Sequence, residues 1–172
     1  MVEIKEKDLV FSFEDEWEVS KYDEWAFYRN RLNKMNAKGV DIVAIRESIL
    51  YLIEIKDYTH PNSKRIPFDT LPLEIAQKCL DTLGGLVAAR EWAVGDEQAF
   101  AVIALRATRV KVIFHVHLPP SKGGRLSNAN GVLANFKDSI GSKVRGIDPH
   151  FIVESPSSPT DLWSFRHFKT IK

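Results

Sequence analysis

Cysteine is almost missing from this chain: Cys79 is the single one in 172 residues. One thiol excludes an internal disulfide framework, and its neighbours Leu73, Ile75, Ala76, Leu80 and Leu83 mark it as a core group. Long apolar runs are missing as well. No stretch approaches the roughly 20 residues that span a bilayer. The first eight residues, Met1 to Asp8, lack the apolar region of a secretory leader. A cytoplasmic protein without a membrane partner is therefore expected. Net charge is small too, since 24 Lys and Arg against 23 Asp and Glu leave +1. No repeat or low-complexity tract occurs. What remains, 44% hydrophobic and 27% charged residues, is the composition of a soluble globular protein. It excludes disordered and fibrous classes and predicts one domain over residues 1–172.

The small total hides a gradient. Residues 1–24 hold nine acids against three lysines, whereas residues 106–172 hold eleven Lys or Arg against four acids. Nucleic-acid binding needs a local basic surface rather than a basic total. Lys122 and Arg125 in the loop Ser121-Lys122-Gly123-Gly124-Arg125, Lys143 with Arg145, and Lys38 are the candidates, with Arg166, His167 and Lys169 near the end. A solvated basic face is the plain alternative. The loop lacks the spacing of a nucleotide-binding P-loop, so nucleotide hydrolysis is not expected.

Periodicity supplies the elements. Leu9 to Phe13 reads as a short strand, and Tyr22, Trp25, Phe27, Tyr28, Leu32 and Met35 suit one face of a helix over 19–35. Two apolar segments, 39–45 and 49–57, joined by Arg46-Glu47-Ser48, read as a hairpin. Pro72 opens a helix reaching about Trp92, with Gly84-Gly85 inside it admitting close approach of another element. Residues 97–106 suit either a short helix or a buried strand. A strand over 110–118, a helix over 130–142 and a strand over 150–154 follow. Helices alternating with strands make an α/β domain whose central mixed sheet is flanked by helices on both faces.

The hairpin carries the chemistry. Alternation places Glu54 and Lys56 on one side of their strand, with Ile53, Ile55 and Asp57 on the other, and Asp41 lies on the partner strand. Charges set in apolar strands are costly unless paired or bound to metal. In the long helix, Gln77 or Lys78 can reach the rim of such a cluster, although a Glu74 to Lys78 helix pair is the simpler reading. His115 and His117 share a strand face, but no third zinc ligand is evident at suitable spacing, so stacking, hydrogen bonding or phosphate contact is the expected role.

An Asp on one strand followed by Glu-X-Lys on the next, here Lys38-Gly39-Val40-Asp41-Ile42-Val43 and Leu52-Ile53-Glu54-Ile55-Lys56-Asp57, resembles the PD-(D/E)XK nuclease superfamily, in particular its junction-resolvase and Mrr-type branches. Val40 stands where the family name has Pro. The resemblance implies a restriction-endonuclease-like three-layer sandwich and a metal-dependent nuclease that hydrolyses DNA by a metal-activated water. It further implies magnesium or manganese held by Asp41, Glu54 and the carbonyl of Ile55, with Lys56 acting on the attacking water. An additional acid from the preceding helix, Asp23 in preference to Glu24, and dimerisation to cut both strands also follow from it. The alternatives are a catalytically inactive nuclease-fold module that binds nucleic acid or a partner protein, and an α/β protein whose triad is a structural ion cluster.

Overall fold

The expected hairpin forms as β4 (Ile42–Arg46) and β5 (Ile49–Asp57), antiparallel, with Ile42 opposite Ile53 and Arg46 opposite Ile49. Glu47 and Ser48 make the turn at φ of 50° and 62°, the left-handed pair of a two-residue hairpin whose twist matches the strands it joins. The structure is a computed structural model and describes residues 1–59, 65–119 and 129–168.

Three more strands complete the central sheet: β3 (Glu18–Lys21), β6 (Arg109–His117) and β7 (Ile152–Glu154), in the order β3-β4-β5-β6-β7. β5, β6 and β7 run parallel, while β3, β4 and β5 are antiparallel neighbours, so the sheet is mixed as expected. Val43, Ile45, Leu50, Leu52, Val112, Phe114 and Val116 point to one face and meet the core that the helices share. Those helices are α1 (Leu71–Trp92), α2 (Gly95–Ala104) and α3 (Ala129–Val144). The ambiguous segment around 97–106 is thus helical. Gly95 enters it at φ 61°, and Asp96 and Glu97 in its first turn complement the helix dipole.

The opposite face departs from expectation. Instead of helices it carries a second sheet, β1-β2-β8, built from β1 (Val2–Glu6), β2 (Leu9–Phe13) and β8 (Ser164–His167). Leu9, Phe11 and Phe13 from β2, with Trp17 and Trp163, pack on Ile42, Ala44, Tyr51, Ile53, Ile55 and Ile113. The three layers are therefore helices, a five-stranded sheet and a three-stranded sheet. Both faces of the central sheet are buried, and that is why β4 and β5 read as nearly continuous apolar runs.

The helix expected over 19–35 is also corrected. Glu18–Lys21 is strand, Tyr22–Glu24 is a single tight turn, and the backbone opens at Trp25 (φ −57°, ψ 131°) before a continuous helical run over residues 26–35 that widens to π geometry at Tyr28–Leu32 and tightens at Asn33–Met35, so the expected helix holds only in its second half. Aromatic packing explains the break. Tyr22 packs at a tilt, its ring centre 5.0 Å from Trp25 and 5.2 Å from Tyr28, with its ring against Gly39 and its hydroxyl against Gly85 of α1. Glu97 of α2 caps the rearranged segment by accepting the N–H groups of Ala26 at 2.6 Å and Phe27 at 3.0 Å.

The two adjacent glycines of α1 should therefore behave oppositely. A Cβ at Gly85 would overlap the Tyr22 hydroxyl and sit 2.9 Å from Leu32 Cδ1, whereas one at Gly84 meets nothing within 4 Å. Gly85→Ala is expected to destabilise by about 1–3 kcal/mol through overpacking. Gly84→Ala is expected to stabilise by roughly 0.5–1 kcal/mol through helix propensity. Urea denaturation of the two variants checks this, and equal effects would show that Tyr22 does not occupy the notch.

Candidate functional site

Leu50 and Leu52 of β5 enter the core beneath the helices, and Glu54 and Lys56 continue the same face. Glu54 is only 1% exposed. Two ammonium groups compensate it. Lys56 Nζ lies 2.7 Å from Glu54 Oε1, and Lys78 Nζ of α1 lies 2.7 Å from Oε1 and 2.9 Å from Oε2. Asp41, one residue ahead of β4, accepts the Ile55 N–H on Oδ2 at 2.6 Å, and its Oδ1 stands 3.9 Å from Lys78 Nζ. The backbone of Asp41 is pinned in turn, since its carbonyl accepts the Tyr22 N–H at 3.1 Å.

The structure thus gathers Asp41, Glu54 and Lys56, with Ile55 contributing its backbone N–H, and adds Lys78. Sequence reasoning had matched Lys78 with Glu74 instead. Its position between Ile75, Cys79 and Thr82, all buried, is the signal that it belongs to the inward side of α1. Burial pulls both ammonium groups down, but the Glu54 and Asp41 charges more than offset it and hold Lys56 and Lys78 above the ordinary lysine value. Burial, then the Glu54 charge, pushes Asp41 up to about 7 against Lys78, the Ile55 hydrogen bond and Lys56.

This donor set does not present itself as a magnesium or manganese site. Both oxygens of Glu54 and one of Asp41 are engaged by N–H donors, and two lysines already balance two acids. Among the described residues no three His, Cys, Asp or Glu side chains form a group that could hold a metal ion.

Asp23 and Glu24 lie apart from the cluster. Burial, and next the Glu6 charge, raise the Asp23 carboxyl, while Glu24 is exposed and bonded to Lys21 at 2.9 Å. Lys38 is exposed at the same sheet end as the cluster, its N–H donated to Asp81 Oδ2 at 2.9 Å. Lys143 and Arg145 are exposed too, but they sit toward the start of β6, where Asp148 accepts the Val112 N–H at 2.9 Å. They are not brought to Lys38. Lys122 and Arg125 fall outside the described residues.

His115 and His117 make a buried relay rather than a metal pair. Glu154 is fully buried and accepts Thr160 N–H at 3.0 Å, Thr160 Oγ1 at 2.6 Å and Trp163 Nε1 at 3.0 Å. It also faces His115 Nδ1 at 2.6 Å. An ionised Glu154 can only accept, so His115 donates from Nδ1, and its Nε2 lies 2.9 Å from His117 Nε2. Burial would raise the Glu154 carboxyl, but these hydrogen bonds bring it below its ordinary value. Burial and His115 push His117 down to about 4.

No family model matches the chain, and no solved structure matches it significantly. A cysteine–tRNA ligase from Neisseria meningitidis serogroup A is 35% identical over 167 aligned residues, which cover 79% of this chain and 24% of the ligase. The chain thus spans about a quarter of the relative it matches. That finding overturns the nuclease and endonuclease reading, because the relative is named for joining cysteine to tRNA and not for cutting DNA. The physical reason for the misreading is that Asp, Glu and Lys at these spacings also arise when a strand pair buries a carboxylate and neutralises it with lysine.

The cluster and the relay each carry a pH prediction. Folded Asp41 keeps its proton to about pH 7, whereas the unfolded chain loses it near 3.8. Between those values the folded state binds more protons, so stability from this group declines as pH rises. Asp41→Asn, whose carbonyl still accepts the Ile55 N–H, should gain on the parent across that window and level off above it. Glu54→Gln, by contrast, should cost about 3–5 kcal/mol by stranding its cations. Urea denaturation across this range in chelator-containing buffer reads both, and a pH-independent gain for Asp41→Asn would refute the coupling. His117 takes up its proton near 4 when folded against 6.5 unfolded, so its stabilisation is lost as pH falls through that interval. Its ring NMR signals should stay constant until the lower value; titration near 6.5 would disprove the Nε2 to Nε2 bond.

Proposed function

We propose that the chain is a tRNA-associated module of the cysteine–tRNA ligase type, binding tRNA in support of charging without performing the ligation alone. The single observation that carries this reading is its sequence identity to part of such a ligase. The geometry supports a binding role. The ionic cluster is tied to two strands and a helix, and has only its lysines and Asp41 partly exposed. Such an arrangement holds donors rigidly at a rim, which suits recognition of a folded polyanion more than turnover. Folded RNA is recognised largely through its phosphates, its 2′-hydroxyls and its exposed loops, and Lys38 and Lys56 stand at that sheet end. The layer order is also compatible with a restriction-endonuclease-like sandwich, taken as architecture without its chemistry.

The test compares the intact protein's affinity for a tRNACys transcript with that for a DNA duplex carrying the same number of phosphates at the same salt. Preference for the tRNA by about tenfold or more, ~1.4 kcal/mol, is expected. Equal or tighter binding of the duplex, or no RNA binding, would overturn the reading.

A further inference from the structure

From Trp25 to Val40 the chain carries Arg29, Arg31, Lys34 and Lys38 and no Asp or Glu. All four cations are exposed, and so are Asn30, Asn33, Asn36 and Met35 around them. The carboxylates that reach this segment bind its backbone and not its cations. Glu97 accepts from Ala26 and Phe27, and Asp81 accepts the Lys38 N–H. Arg29 donates Nε to the Asp23 carbonyl at 2.8 Å and lowers the Asp23 and Glu24 carboxyls from longer range. Arg31 has its guanidinium 5.9 Å from the centre of the Phe27 ring. Among the described residues, none of the four has a carboxylate oxygen at ion-pair distance, so their charges are compensated only from longer range and their field extends into solvent.

The segment is also held in one shape. Tyr22, Trp25 and Tyr28 pack together with tilted rings, the Tyr28 hydroxyl donates to the Ala37 carbonyl at 3.2 Å, and Asn36 closes the last turn at φ 61°. Val40 then donates its N–H to Thr82 Oγ1 at 3.0 Å, which seats the end of the segment beside the Asp41 cluster. A cationic surface fixed in advance loses little entropy on binding.

We propose that this turn is the surface that grips the phosphate backbone of folded RNA. Arg29, Arg31, Lys34 and Lys38 are its phosphate contacts, and Asn30 and Asn33 are neutral hydrogen-bonding groups between them. The assignment rests on the tRNA reading above and supplies the face that reading lacks. It replaces the carboxyl-terminal cations Lys143 and Arg145 as the main contact region.

Fluorescence anisotropy of a labelled tRNACys transcript, titrated with the full chain over a series of salt concentrations, tests it. Each phosphate contact contributes roughly 0.7–0.9 to the slope of log affinity against log salt. The double variants Arg29→Gln with Arg31→Gln, and Lys34→Gln with Lys38→Gln, should each lower that slope by about 1.4–1.8, and the quadruple variant by about 3. Lys143→Gln with Arg145→Gln should leave it unchanged. Thermal melting of each variant is read alongside, and the Lys34→Gln with Lys38→Gln pair, whose side chains are exposed, should melt with the parent and show its loss as one of contact. A quadruple variant with parental affinity and slope would reject this surface while leaving the tRNA reading in place. A parent that binds no RNA would reject both.

Discussion

A carboxylate buried to 1% exposure is the constraint around which the helical half of the molecule is organised. An unpaired Glu54 would cost several kcal/mol, so α1 must lie where Lys78 can reach across to β5. Once Lys78 is placed, the helix phase is set. Ile75, Cys79, Thr82 and Leu86 then face inward, Thr82 meets Val40, and Gly85 meets the Tyr22 hydroxyl. Tyr22 in its notch accompanies the break at Trp25, and the helical run after it puts Arg29, Arg31 and Lys34 on the surface. One ion cluster thus propagates from a strand through a helix to a loop.

The same cluster shows how a short motif can mislead. An Asp, a Glu and a Lys on a hairpin satisfy a catalytic pattern, yet they equally satisfy the electrostatics of burying one acid. Lys78, arriving from a distant helix, is the residue that a strand-by-strand reading leaves out. Asp41 stays protonatable near neutrality because burial and Glu54 oppose its charge more than Lys78 and Lys56 support it. The cluster is built for cohesion, with its spare hydrogen-bonding capacity at the rim.

Much of the architecture was legible in the sequence because its signals are local. The hairpin, α1, β6 and α3 each announce themselves by apolar period and by turn residues, and the convergence of Asp41, Glu54 and Lys56 follows from alternation alone. The missing parts have tertiary causes. β1 and β8 are short and mostly polar, and β8 offers only Phe165 to the core, so neither shows a strand pattern without its partner β2. The aromatic spacing of residues 22–35 imitates an unbroken helix, and only the two glycines at Gly39 and Gly85 reveal where the rings go. The His115 to Glu154 relay was unreadable for a different reason. Its histidines and Glu154 come from separate strands, and Glu154 is further held by Thr160 and Trp163.

The outer sheet joins the chain's distant parts: Leu9 of β2 pairs with His167 of β8, and Arg166 reaches Glu3 across 163 positions of sequence. Contacts of that range close slowly. During synthesis the helical layer and the central strands can therefore assemble while β2 still has one unpaired edge and Phe11 lacks the cover of Phe165. A nascent chain passes through an interval with an open strand edge and bare aromatic surface. The vulnerability of this fold to self-association is greatest in that interval, and it ends when the last described strand docks.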